Sequence, residues 1–405
     1  MNKKIRNQFP ILKTRTRGKP LIYFDNAATS QKPGSVLSAM DAFYRTQNAP
    51  VHRGVYSLAE SATAKYEAVR DQVKDFIHAA HREEIIFTSG TTASVNSVVA
   101  GFAQSLKAGD RVLLTDMEHH AMIVPWQAVQ TRKKILIDFA PLTKEGRLDM
   151  AAFKQLLKHK PKFVGVTYVS NVLGTVNPVK EIIALSHKAG AVVFLDAAQA
   201  AAHVSVDVQK LDCDFLGFSS HKMYGPGGVG VLYGKKALLE RLPPFLYGGH
   251  MIESVSREKT TYAPLPAKFE AGTPPVAETI GLGAAISFIE KIGWKAIQSH
   301  ERALTAHALK VLSVVPGLAL LGPKTSRGRA PIFSFSMPGV HPHDGASLLD
   351  RAGIAVRAGH HCTQILHENF SLGASMRASL ALYNTREEID VLARALFDLK
   401  KKLYG

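Results

Sequence analysis

The chain has 405 residues, 46% apolar and 20% charged, with a formal charge of +17 and only two cysteines. That apolar content fills a sizeable core, the length suits about two to three domains, and no run reaches the ~18 apolar residues that open a case for a membrane helix. Two cysteines build no disulfide framework, which points to a reducing, cytoplasmic setting, and scattered basic residues without zinc-finger or aromatic-basic spacing argue against nucleic-acid binding.

The N-terminal "MNKKIRNQFPILKTRTRGKP" is basic but has no long apolar run, and Pro10 and Gly18 interrupt it. It reads as neither a secretory signal nor a transit peptide. From about residue 85 to 235 short apolar runs alternate with helix-length segments: "EIIFTS", "DRVLLTD", "KKILIDFA", "KFVGVTYVS", "AVVFLDAAQ" and "DFLGFSSHK". This is the pattern of an α/β chain with a mostly parallel sheet covered on both faces. "GVGVLYG" follows "FSSHK" too closely for a crossover helix, so its strand is expected to run antiparallel. Residues 240–275 read as irregular. A long helical pattern begins near Glu278, and "APIFSFSM", "GIAVRAG" and "MRASLALYN" then suggest a second, smaller α/β domain closed by a helix from Thr385.

Ligands of open α/β sheets gather beyond the carboxyl ends of the strands. The residues there form one polar rim: Thr88 to Thr92, Glu118-His119-His120, Ser170-Asn171, Asp196 to Gln199 and Ser219 to Lys222. "TSGTT" between a strand and a helix offers backbone N–H groups, hydroxyls and a helix dipole to a phosphate. It lacks the lysine of a nucleoside-triphosphate loop. Asp196, ending an apolar run, needs a cationic or hydrogen-bonded partner, and a protonated pyridine nitrogen would serve. The competing reading is a helix N-cap, with Gln199 completing a capping box. Lys222 ends another apolar run, where a lysine of lowered pKa can bond an aldehyde. Phosphate cradle, strand-end acid, strand-end lysine and a histidine on the same rim together suit pyridoxal phosphate.

Arg357 to Cys362 spell "RAGHHC". Local spacing leaves Cys362 open as a core residue, a metal ligand or a nucleophile. Adjacent histidines rarely ligate one ion in a regular element, and C-x-x-C and H-E-x-x-H are absent, so no metal is expected. The rim upstream favours the nucleophile. Cys213, in "KLDCDFLGF", is expected to be a small buried hydrophobe.

In several ordered motifs the chain resembles the SufS/CsdA-type cysteine desulfurases, in the NifS-like branch of the class V aminotransferase family. The match runs from "YFDNAATSQKP" to "MRASLALYNT" and includes "NAPVHRGVYSL", "MEHHAMIVPWQ", "FLDAAQ", "SSHKMYGPGGVGVLYG", "FEAGTPP" and "RAGHHC". The resemblance implies a fold-type I PLP-dependent transferase. Its large PLP-binding domain, with a mostly parallel seven-stranded sheet, would span 22–270; a smaller α/β domain, from 1–21 and 271–405, would carry the reactive cysteine loop.

The resemblance also implies roles. Lys222 would bond the cofactor aldehyde, Asp196 pair with the pyridinium, Gln199 reach the ring hydroxyl and His119 stack on the ring. Thr91, Thr92, Ser219 and His221 would hold the phosphate, with Thr273 of a second subunit. Asn171 and Arg377 would hold the substrate carboxylate, Arg357 would lie beside the cysteine, and His52 and Arg53 would face the partner's site. Cys362 would take sulfur from L-cysteine as a persulfide and release L-alanine. Its thiolate would be favoured by Arg357 or by a protonated His360 or His361.

Only Thr363 to Met376 separate Cys362 from Arg377, so the cysteine has little reach. That resembles the short-loop group, which passes its persulfide to an acceptor protein of the SufE/SufU type. Iron–sulfur cluster assembly, activity on L-selenocysteine and a homodimer follow from the same resemblance. Departures occur where the family commonly has other residues, at Tyr56, Ala93, His250 and Thr363; none removes an assigned chemical group. The rivals are an aminotransferase of the same fold, which needs no cysteine, and a basic scaffold on an inactive fold.

Overall fold

The computed structural model describes residues 3–404. Its apolar runs form one 7-stranded sheet: β1 (Ile85–Thr88), β2 (Arg111–Thr115), β3 (Leu136–Ala140), β4 (Phe163–Thr167), β5 (Val192–Asp196), β6 (Phe215–Ser219) and β7 (Gly230–Gly234). The spatial order is β1-β7-β6-β5-β4-β2-β3. Strands β2 to β6 pair in parallel, and β7 runs antiparallel to β1 and β6. The short link from β6 to β7 holds a single turn, Ser220–Lys222, so the chain returns instead of crossing over. Strands β4, β6 and β7 are buried at every position. They therefore show unbroken apolar character and no alternation.

Helices that cover or flank this sheet include α1 (Gly34–Thr46), α2 (Ser57–Phe76), α3 (Thr91–Phe102), α4 (His120–Lys133) and α5 (Val276–Ile292). Helix α5 is apolar on most sides, burying Leu282, Ile286 and Ile289, and it packs on α1 and α2. It thus belongs to the core of the large sheet although it follows residue 271 in the chain.

The C-terminal part forms a 4-stranded antiparallel sheet of β8 (Ala319–Leu320), β9 (Ile332–Ser336), β10 (Arg357–Gly359) and β11 (Ser375–Ser379), in the order β8-β9-β11-β10. Helices α6 (Trp294–Leu312), α7 (Pro342–Arg351) and α8 (Arg386–Tyr404) close it around a core that includes Phe24, Phe333, Phe335 and Leu396. The β10–β11 register sets Arg357 directly opposite Arg377.

Two sequence expectations change. The segment expected to be irregular contains an antiparallel hairpin, Ile252–Val255 with Thr260–Tyr262. Its residues are mostly exposed and carry no buried alternating face to betray a strand. "GIAVRAG" reads as one strand but forms two. Ile354–Ala355 pairs in parallel with Ile22–Tyr23, and Arg357–Gly359 pairs with β11. Among the described residues, no helix is long and apolar enough to cross a membrane.

Candidate active site

A cavity of about 370 Å³ opens at the carboxyl ends of β4, β5 and β6 and reaches the loop after β10. On one wall, the N-terminus of α3 meets β6 and β7. The Thr91 N–H donates to Ser219 Oγ at 2.8 Å, and the two hydroxyls lie 2.8 Å apart. A Cβ on Gly230 would stand 2.5 Å from Gly90 Cα, so only glycine lets β7 approach this turn. Thr91, Thr92, Ser219 and His221 line the cavity here. Converging N–H and O–H groups at a helix N-terminus favour an anion.

Opposite lie the strand-end acid and lysine. Asp196 is 4% exposed, and its Oδ1 accepts the Ala198 N–H at 2.8 Å. Burial pushes its pKa up, against the bond from Ala198 and the nearby Lys222. Gln199 donates from Nε2 to the Ala27 carbonyl at 2.7 Å and makes no cap bond, so the capping-box alternative does not hold. Lys222 has a lowered pKa, chiefly from burial, with Asp196 opposing and Arg377 adding to the shift. A lowered pKa supplies the free amine that aldehyde chemistry requires.

His119 caps α4, its Nδ1 accepting the Ala121 N–H at 3.0 Å. That bond leaves the ring proton on Nε2. Burial, then Lys222, pull its pKa down to about 3. The uncharged ring lines the cavity, which suits contact with a cationic heterocycle.

The carboxylate end is built from both sheets. Arg377 is 2% exposed; Nη1 donates to the Asn171 carbonyl at 3.1 Å and Nη2 to Asp25 Oδ1 at 3.1 Å, while Nε has no partner. Arg357, across the strand pair, is half exposed with Asp25 Oδ2 at 3.7 Å. Like charges opposed across strands repel, and Asp25 offsets this by touching both. Nothing in the sequence tied Asp25 to the distant C-terminal strands.

Cys362 lines the cavity yet is exposed. His361 and Cys362 both adopt the left-handed region, at φ 53 and 59. Long-range bonds hold this turn. The His120 N–H donates to the Cys362 carbonyl at 2.8 Å, Asn171 Nδ2 to the His361 carbonyl at 2.8 Å, and the Gln364 N–H to His120 Nε2 at 3.0 Å. Burial and the charge of Arg377 pull the His361 pKa down to about 2, so it is neutral, which removes one of the three groups the sequence left open as a support for the thiolate. Cys213 is fully buried, and burial pushes its thiol pKa up.

Thr273, His52 and Arg53 do not line this cavity. Thr273 and Arg53 are exposed. His52 bonds Glu67 at 3.0 Å and stacks on His250 at 4.5 Å. The segment before Thr273 is anchored by Glu270, which accepts from both Arg70 Nη1 and Nη2 at 2.7 and 3.0 Å. The sequence places Glu118 on the polar rim without giving it a role. It is 1% exposed, accepts from Thr115 and the Thr167 N–H, and burial raises its pKa to about 8. Among the described residues, no group of three or more His, Cys, Asp or Glu side chains could hold a metal ion.

The donor set fits pyridoxal phosphate. A glycine-lined cradle suits its phosphate, a buried carboxylate its ring nitrogen, and a lysine of lowered pKa its aldehyde.

Residues 22–392 match the model of the aminotransferase class-V family. The cysteine desulfurase of Yersinia pestis is 47% identical over 402 residues, covering 99% of this chain and 98% of that protein. The structure of a cysteine desulfurase from Thermococcus onnurineus superposes with a TM-score of 0.92 at 39% identity, covering 98% of this chain and 99% of that one. That of the cysteine desulfurase CsdA from Escherichia coli gives 0.91 at 36% identity, covering 100% and 99%. The chain belongs to the aminotransferase class-V family, in the branch of its cysteine desulfurases.

Proposed function

We propose that the chain is a PLP-dependent cysteine desulfurase that converts L-cysteine to L-alanine and takes the sulfur onto Cys362 as a persulfide. The observation that carries this is the placing of Cys362 on the wall of the cavity that also holds Lys222, Asp196, His119 and Arg377. An aminotransferase of this fold has no use for a thiol there.

When bound at Lys222, the cofactor supplies an electron sink for the substrate's α-carbon. The chain's own groups do the rest. Arg377 and Asn171 fix the carboxylate. Asp196 would keep the cofactor's ring nitrogen protonated, and His119 would lie against its ring. Lys222, whose lowered pKa favours the free amine, would move the α-proton. Cys362 attacks the substrate sulfur: the new S–S bond forms as the C–S bond breaks, and that electron pair leaves with the carbon.

Thr273, His52 and Arg53 would serve the cavity of a second copy in a homodimer. The tethered turn at Cys362 gives it little travel, which suits transfer to a docked acceptor protein of the SufE/SufU type and onward to iron–sulfur assembly in the cytoplasm. The charge of +17 would favour an acidic acceptor, so added salt should slow acceptor-dependent turnover. L-Selenocysteine would be a second substrate on the same geometry. The large unit would span 22–270, and 1–21 with 271–405 would form the small unit, with α5 reaching across. Purified protein with L-cysteine should yield alanine and a mass increase of one sulfur on Cys362. No alanine at any acceptor concentration would overturn the proposal.

A further inference from the structure

Two helices begin beside Cys362, and each brings an N–H that its own turns cannot satisfy. Helix α4 starts at His120, and the short helix Gln364–Asn369 starts just after the cysteine. Each N–H finds its partner on the other segment. The His120 N–H donates to the Cys362 carbonyl at 2.8 Å, and the Gln364 N–H donates to His120 Nε2 at 3.0 Å. One residue therefore grips the chain on both sides of Thr363. The second bond fixes the state of the ring. A backbone N–H only donates, so Nε2 is bare and the neutral ring carries its proton on Nδ1. Protonation would put a donor at Nε2 and break the bond. Burial, then the charge of His360, lower the His120 pKa below the usual histidine value, so the bond is whole near neutral pH. The uncharged His119 ring lies 6.4 Å from that of His120. Asp116 and Glu368, acids on the adjoining segments, accept from Asn369 Nδ2 at 2.7 Å and Gln364 Nε2 at 3.2 Å. Other bonds of the turn join amide, hydroxyl and carbonyl groups that do not titrate: Asn171 Nδ2 to the His361 carbonyl, and the Thr363 N–H and Oγ1 to the His360 carbonyl at 2.9 and 2.8 Å.

Cys362 is exposed and left-handed, so packing does not hold it and hydrogen bonds must. The neighbour of His120 is His119, which lines the cavity and caps the same helix. The peptide between the two histidines thus joins the cofactor wall to the cysteine wall. We propose that His120 is a positioning residue for Cys362: its backbone N–H and its ring Nε2 together hold the cysteine turn against the start of α4, and so set the place of the thiol relative to His119. The ring makes this hold proton-sensitive. It is complete while the ring is neutral and loses the Gln364 bond as pH falls below the ordinary histidine range.

The effect on turnover rests on the desulfurase reading, which alanine formation by the wild type tests separately. The hold itself is read without turnover, by hydrogen exchange of the holoenzyme at the Gln364 amide, followed by mass spectrometry of the peptide that contains it. His120→Ala keeps the backbone bond and removes Nε2. Near neutral pH it should quicken this exchange about 3- to 10-fold, the range of one neutral hydrogen bond. It should lower kcat for alanine formation by a similar factor and leave KM for L-cysteine within about twofold. His120→Gln sets an amide oxygen near the Nε2 position and should recover most of both losses. As pH is lowered from about 8 to 5, exchange in the wild type should quicken relative to His120→Gln, whose acceptor does not titrate. Exchange in His120→Ala equal to that of the wild type would overturn the proposal. So would faster exchange with unchanged kcat, which would leave His120 a structural cap alone. Equal losses in the Ala and Gln variants, a wild-type-to-Gln ratio indifferent to pH, or a loss that falls on KM in place of kcat would assign the ring another role and also overturn it.

Discussion

The cavity's two walls are built by different physics. The cofactor wall is made of strand ends anchored in a continuous apolar core: Thr91, His119, Asp196 and Lys222 each follow a buried run. The cysteine wall is a turn of two left-handed residues tied down by hydrogen bonds to His120, Asn171 and Ser375. The first is rigid because its supports are packed. The second is rigid only while each bond is kept, which leaves Cys362 exposed and able to meet a partner.

The difference predicts unequal responses. Lys222→Ala should lower alanine formation by about 10³-fold or more, while the fold, set by the strands behind it, melts as before in calorimetry. Arg377→Ala comes next. It removes a charged hydrogen-bond donor and leaves Asp25 facing Arg357 alone, so KM for L-cysteine should rise about 10- to 100-fold. On the cysteine wall, Ser375→Ala cuts the His361–His367 link. It should cost about 10-fold or less in kcat/KM but change the alkylation rate of Cys362, which the same kinds of change on the cofactor wall should not.

The smallest effect on turnover concerns Glu118, behind His119, whose influence is on stability. Its folded pKa, about 8, lies above that of an ordinary carboxylic acid. The folded state therefore binds a proton that the unfolded state has lost, and stability must fall as pH rises towards the folded value. Urea denaturation between about pH 5 and 9 should show this loss in the wild type and less of it in Glu118→Gln. Equal slopes would remove Glu118 as its cause.

The same contrast explains what the sequence revealed. The cofactor wall was legible because periodicity locates strand ends and the polar residues stand immediately after them. The antiparallel β7 was legible from its short connection. Asp25 and Glu118 were not, since each is given its meaning by residues far along the chain: Arg377 for one, Thr167 for the other. The state of His361 stayed open because exposed and buried histidines look alike in sequence, and only burial beside Arg377 holds this one neutral. The hairpin at Ile252–Tyr262 escaped because its pairing is carried by backbone on an exposed face.

The account stands on Cys362 receiving the sulfur. A single turnover of holoenzyme with L-cysteine, quenched and read for both products, tests this most directly. Alanine and Cys362 persulfide should appear in equal amounts, and Cys362→Ser should yield neither while its cofactor absorbance still responds to substrate. Alanine formed undiminished by Cys362→Ser would contradict it.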